Sequence, residues 1–165
     1  MGFIQKRIQQ KKLEQEEQLK RECSYYASCI DSRISYFKNA INKLSTDIKR
    51  HTTITNDFAL ELICEIDFLE EYYERFLHDL KQEEFTYKET YFKNVKEESK
   101  QKAEFMHKLK KQYRVEFENI YNNFKRITKG VNFPRRNEIL GLMRKAFDFD
   151  SSKYYSTDDQ FIIMR

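Results

Sequence analysis

Apolar side chains along residues 23–48 fall at Cys23, Ala27, Ile30, Ile34, Phe37, Ile41, Leu44 and Ile48, with gaps that alternate four and three. That 3.5-residue repeat keeps one stripe facing a partner helix, so the segment is predicted to be a helix with a coiled-coil-like seam. Residues 51–57, His-Thr-Thr-Ile-Thr-Asn-Asp, interrupt it. β-Branched residues are weak helix formers, and Asn56 or Asp57 is the expected N-cap of the next helix. In that helix Phe58, Leu62, Ile66, Leu69, Tyr73, Phe76 and Leu80 share a face. The face continues through Tyr87, Tyr91 and Val95, unless Thr86 and Glu89 form a capping box that opens a new helix. Polar residues fill every core position of 96–102, which puts a reversal, or the exposed tip of a helical hairpin, there. A third long helix carries Met106, Leu109, Tyr113, Phe117, Ile120, Phe124 and Ile127 in register. Gly130 is its expected C′ residue, after the basic Lys125, Arg126 and Lys129. Pro134 is expected to open a short helix to about Phe147 that carries Ile139, Leu142 and Met143.

The ends differ from this pattern. In residues 1–22 the apolar Phe3, Ile4, Ile8, Leu13 and Leu19 are too sparse for a core-facing stripe. Such a helix is solvated or finds its apolar contact on another molecule. Residues 148–165 carry little helical signal, and Phe161, Ile162 and Ile163 are expected to pack on the bundle or on a partner. The chain therefore divides into a charged N-terminal helical extension (1–22), a helical bundle (23–147) and a C-terminal tail (148–165).

No glycine or proline occurs between Gly2 and Gly130. At average usage of about 7% Gly and 5% Pro, chance gives such a run with a probability on the order of 10⁻⁷. Tight turns and broken ladders draw on those two residues, so long helices with loose connections are indicated. The expected fold is all-α: an elongated antiparallel bundle of three long helices, a charged N-terminal helix and a short C-terminal one. The pattern resembles spectrin-type and coiled-coil bundles, an architectural likeness that assigns no residue a role.

Composition narrows the class further. Among 165 residues, 14 Phe and 11 Tyr supply core bulk, and 35% charged residues with a net charge of +4 keep the surface wet. A bilayer-spanning helix needs roughly 20 apolar residues, and no run approaches that. No apolar segment near the start marks export, and Lys6 stands where a myristoylation signal needs Ser or Thr. Cys23, Cys29 and Cys64 are odd in number and read as reduced thiols, so a cytoplasmic location is expected.

Chemistry finds little support. Glu104 and His107 form one E-x-x-H motif, whereas a ferritin-like di-iron site needs two, plus a Glu from each of two other helices. His78 follows Glu74 by four positions, the wrong spacing, and Glu70, Glu74 and His78 make an ordinary i, i+4, i+8 ladder. Three glycines cannot build a phosphate loop, and no nucleophile elbow is present. No enzyme activity, metal, cofactor or small-molecule substrate is expected.

Charge is the remaining signal. Residues 58–90 hold ten acidic and three basic side chains, and residues 91–130 hold eleven basic and five acidic. Neighbouring helices of opposite sign give simple complementarity. Lys110, Arg114 and Lys125 form one flank of the third helix, and Lys108, Lys111, Arg126 and Lys129 form another face. Arg135 and Arg136 follow beside a helix N-terminus, where free N–H groups favour phosphate. The leading expectation is a non-enzymatic interaction module or accessory subunit that binds a protein partner or a second copy. The alternative is a nucleic-acid-binding accessory protein that uses the basic face of residues 108–136.

Overall fold

A computed structural model describes residues 2–147, and the regular structure among them is all helical. The elements are α1 (Phe3–Cys23), α2 (Tyr25–Lys49), α3 (Asn56–Glu89), α4 (Lys93–Ile127) and α5 (Arg136–Phe147). The tail and its Phe161, Ile162 and Ile163 lie outside the described residues.

The seams read from the sequence become the core. Ala27, Ile30, Ile34, Phe37 and Leu44 of α2 are buried, with Leu62, Ile66, Leu69, Tyr73, Phe76 and Leu80 of α3. Met106, Leu109, Tyr113, Phe117, Ile120 and Phe124 of α4 complete it, and α5 adds Ile139, Met143 and Phe147. Ile41, Ile48, Ile127 and Leu142 are only half-buried, at the edges of the seam. Aromatic rings tie the layers together. Tyr73 meets Phe117 edge-on with centroids 6.2 Å apart, Phe76 meets Tyr113 at 5.5 Å, and Phe147 stacks on Phe117 at 5.0 Å.

Cross-helix polar contacts fix the relative directions. Ser24 reaches Asp79 and, further along α2, Tyr36 reaches Glu61, so these helices pass each other in opposite senses. Glu84 meets His107 while Tyr73 meets Phe117, which gives α3 and α4 opposite senses too.

The reversals differ from the sequence expectation, each for a local reason. The α3–α4 connection is residues 90–92, not 96–102, which lie inside α4. Thr90 and Phe92 turn the chain with extended backbone, at φ −88° and −79°, so neither glycine nor proline is required. Polar 96–102 stays helical because small Ser99 and Ala103 are the buried positions there. Thr86 opens no helix; its hydroxyl donates to the Gln82 carbonyl within α3. The N-cap of α3 is Thr55, not Asn56 or Asp57, and its Oγ1 accepts from the Phe58 N–H at 3.2 Å. Cys23 ends α1 and does not belong to α2, because Ser24 leaves the helix at ψ 127° and caps α2 by accepting from the Tyr26 N–H. Thr128 caps α4, so Gly130, at φ +74°, stands beyond the expected C′ place. Pro134 sits in the turn before α5, and the Arg135 carbonyl accepts from the Ile139 N–H at 2.9 Å.

Burial at the α2–α4 seam should carry much of the stability. Ile34→Ala should cost about 2–5 kcal/mol and Phe37→Ala about 3–5 kcal/mol, the ranges for emptying packed sites. Denaturant titration that places either variant within about 0.5 kcal/mol of wild type contradicts this packing.

Candidate functional site

The basic residues singled out from the sequence occupy two stretches of α4 and the turn after it. Lys108 pairs with Glu16 of α1 at 3.7 Å, and the Arg114 Nε lies 3.2 Å from Glu118 on its own helix. Lys111 is exposed and lines the open groove between α2 and α4, while Lys110 is half-buried. Glu116, Glu118, Asn119, Asn122 and Asn123 separate this stretch from the next, so the nine residues do not form one unbroken stripe.

The second stretch is denser. Lys125 stands over the Tyr121 ring at 6.0 Å, Arg126 donates to Asn123, and Lys129 is exposed. Arg135 has a positive φ of 57° and lies 3.6 Å from Glu138. Arg136 braces the end of α4, donating to Thr128 Oγ1 at 2.9 Å and to the Lys125 carbonyl at 3.0 Å. Last-turn carbonyls have no helical partner, so the contact to Lys125 supplies one of the missing donors.

Topology adds basic residues to this end that a single-helix reading missed. Phe58, in the first turn of α3, lies 6.2 Å from Phe133, which lies 5.2 Å from Phe124. The α2–α3 connection and the α4–α5 connection therefore meet at one end of the fold. Lys49, Arg50 and His51 thus join Lys125, Arg126, Lys129 and Arg135 there. The signal for them was the last turn of α2 before the break at residue 51, and using it needs the relative direction of α2 and α4.

The groove between α2 and α4 holds about 740 Å³ and is lined by Asp31, Ile34, Lys38, Lys111, Tyr113, Val115 and Glu116. Lys38 and Glu116 pair across it. Burial, with Asp31 alongside, pushes the Tyr113 phenol well above its ordinary range, and its hydroxyl donates to the Ala27 carbonyl at 3.2 Å. Tyr113 is thus a neutral structural donor, and the groove presents charged pairs around an apolar floor.

The remaining chemical candidates separate. His107 meets Glu84 on α3 at 3.1 Å, and Glu104 of the same motif is exposed. Among the described residues no three His, Cys, Asp or Glu side chains converge as metal ligands, and no helix is long and apolar enough to cross a membrane. Glu70 is half-buried, while Glu74 and His78 are exposed. Compared with family models, curated proteins and solved structures, the chain matches none.

The cysteines give a direct test of the burial pattern. Burial raises the Cys23 thiol from an ordinary 9.0 to about 11, while Cys64 is exposed. The thiolate is the reactive form, so in dilute protein at pH 8 a disulfide reagent should label Cys64 readily and Cys23 only on unfolding. A folded-state pKa above the unfolded one adds stability that is complete below the unfolded value and lost as pH climbs through the folded one. The Cys23 contribution should therefore fade between pH 9.0 and about 11, which urea titrations across that interval would register. Equal labelling rates for Cys23 and Cys64 in the native protein would contradict the assignment.

Proposed function

We propose that this chain is a non-enzymatic helical interaction module that binds a protein partner through α1. It would work on an antiparallel framework of the long helices α2, α3 and α4. The observation that carries the reading is the state of residues 2–15, every one of them exposed although helical from Phe3 on. Phe3 is 75% exposed, Ile4 72%, Ile8 62% and Leu13 57%. The helix engages the body from Leu13 on, which lines a cleft against α4, then through half-buried Leu19, buried Cys23 and the Glu16–Lys108 and Lys20–Asp31 pairs. The free stretch is also poorly built to stand alone. Gly2 offers no capping side chain, and no acidic residue sits in the first turn. Helices of such length are marginal in water without a packed face. A second molecule that covers Phe3, Ile4 and Ile8 supplies that face.

A photo-crosslinking amino acid in place of Ile8, in cells, should give a discrete adduct of higher mass. The same probe in place of exposed Glu97 should not. Absence of any discrete adduct at Ile8 removes the reading.

One observation favours a second reading, a nucleic-acid-binding accessory role: the convergence of Lys49 and Arg50 with Lys125, Arg126, Lys129 and Arg135 at one end of the fold. Fixed positive charge is what phosphate binding needs, and its signature is salt dependence. Lys125→Glu with Lys129→Glu should lower the log–log salt slope of DNA binding by about 0.9 for each phosphate no longer neutralised, measured by fluorescence anisotropy. Wild-type protein with no salt-sensitive binding to single- or double-stranded DNA or RNA rules this role out.

A further inference from the structure

We infer that the partner of α1 is a second copy of this chain, whose α3 presents the complementary surface. The inference rests on the reading of α1 as the contact element and names what it contacts.

The donor surface is residues 2–12. They hold Lys6, Arg7, Lys11 and Lys12 and no acidic residue; the acidic side chains of α1 begin at Glu14, toward the part held to the body. On a helix, positions four apart stack in a row. Phe3, Arg7 and Lys11 form one such row, with the Arg7 guanidinium 5.9 Å from the Phe3 ring, and Ile4, Ile8 and Lys12 form the next. The free arm therefore ends in an apolar cluster and carries its cations along the same rows.

The acceptor surface has the same construction with the opposite sign. Residues 57–74 of α3 hold seven acidic side chains and no Lys or Arg. On their outer side Leu60, Cys64 and Phe68 form a row at four-residue spacing, with Leu60 38% and Phe68 46% exposed and Cys64 also exposed. Asp57, Glu61, Asp67 and Glu71 are exposed around it. Aromatic surface extends the row, since Phe68 stacks on Tyr72, which lies 6.3 Å from Tyr26. The rows on the two helices each extend over eight residue steps, so they match in length at about 12 Å. An apolar row rimmed by acids fits an apolar cluster flanked by cations, because burial of the first supplies the contact energy and the charges select partner and register. Within one chain the two surfaces do not meet: both stand exposed, and α1 is held against α2 and α4. The contact joins two different surfaces, so each chain offers one of each.

Sedimentation velocity on the full chain decides the matter. Wild type should self-associate with rising concentration from about 1 μM to about 1 mM, the span of modest non-covalent affinities. The association should weaken as salt rises past the Debye regime of about 0.15 M. Ile4→Asp with Ile8→Asp breaks the arm, and Phe68→Lys with Glu71→Lys breaks the acceptor. Each variant alone should associate at least about tenfold more weakly than wild type. Mixed in equal amounts, they should form a one-to-one dimer, because one retains an acceptor and the other an arm. Circular dichroism checks that both remain helical; should the arm variant fail to fold, Lys11→Glu with Lys12→Glu takes its place.

Three results overturn the inference: wild type monomeric throughout, a broken variant that associates like wild type, or folded variants that stay monomeric when mixed. A monomeric wild type that binds vesicles containing anionic lipid would assign the arm to a membrane surface. A monomer that still gives the Ile8 adduct in cells overturns only the identity of the partner, whereas loss of that adduct overturns the reading beneath it.

Discussion

The contact on which this fold depends is the aromatic stack between α3 and α4. Tyr73 and Phe76 on one helix meet Phe117 and Tyr113 on the other, and all four rings are buried. Edge-to-face pairs of this kind contribute about 0.5–1.5 kcal/mol each beyond the area they bury. Their larger role is to fix the register of the two longest helices. Phe37 and Phe147 then close on the same cluster, since Phe147 lies 6.2 Å from Phe37 and 5.0 Å from Phe117. One cluster thus joins four of the five helices among the described residues.

Around that cluster the polar contacts are directional. Carboxylates of α3 find partners on α2, where Arg33 pairs with Glu65 and Tyr36 donates to Glu61 at 2.5 Å. Lys108 of α4 finds its carboxylate on α1 at 3.7 Å. The more exposed Lys108–Glu16 pair contributes little to stability, as surface pairs do, with a median of about 0–1 kcal/mol. The effect of these contacts is to orient: they select which face of α1 and α2 turns inward once the apolar seam has collapsed.

Much of this was legible in the chain. Seams at Ile30, Ile34 and Phe37, at Leu69, Tyr73 and Phe76, and at Tyr113, Phe117 and Ile120 are regular because each helix buries one stripe. The connection at residues 90–92 was not legible, because its turn uses extended backbone, which any residue can adopt. Ser99 and Ala103 hid the first turns of α4, since small side chains look like a gap in an apolar seam yet fill a narrow one. Among the candidate site residues, Lys125, Arg126, Lys129 and Arg135 are near one another in sequence, at the end of α4 and in the turn after it. Lys49 and Arg50 join them only through the third dimension, and Arg136 serves the end of α4. A periodicity argument places side chains on faces of one helix; it cannot bring the ends of two helices together.

Between Cys23 and Tyr25 a single residue leaves the helical conformation: Ser24, at φ −161° and ψ 127°. Its hydroxyl donates to Asp79 at 2.8 Å while accepting from the Tyr26 N–H at 3.2 Å. Were Ser24 to take helical torsions, α1 and α2 would merge into one rod roughly 70 Å long at 1.5 Å per residue. Bend and rod thus differ at one residue, and the carboxylate that holds the bent form is on α3. The direction in which the first helix leaves the body is set by a carboxylate that lies 55 residues further along the chain.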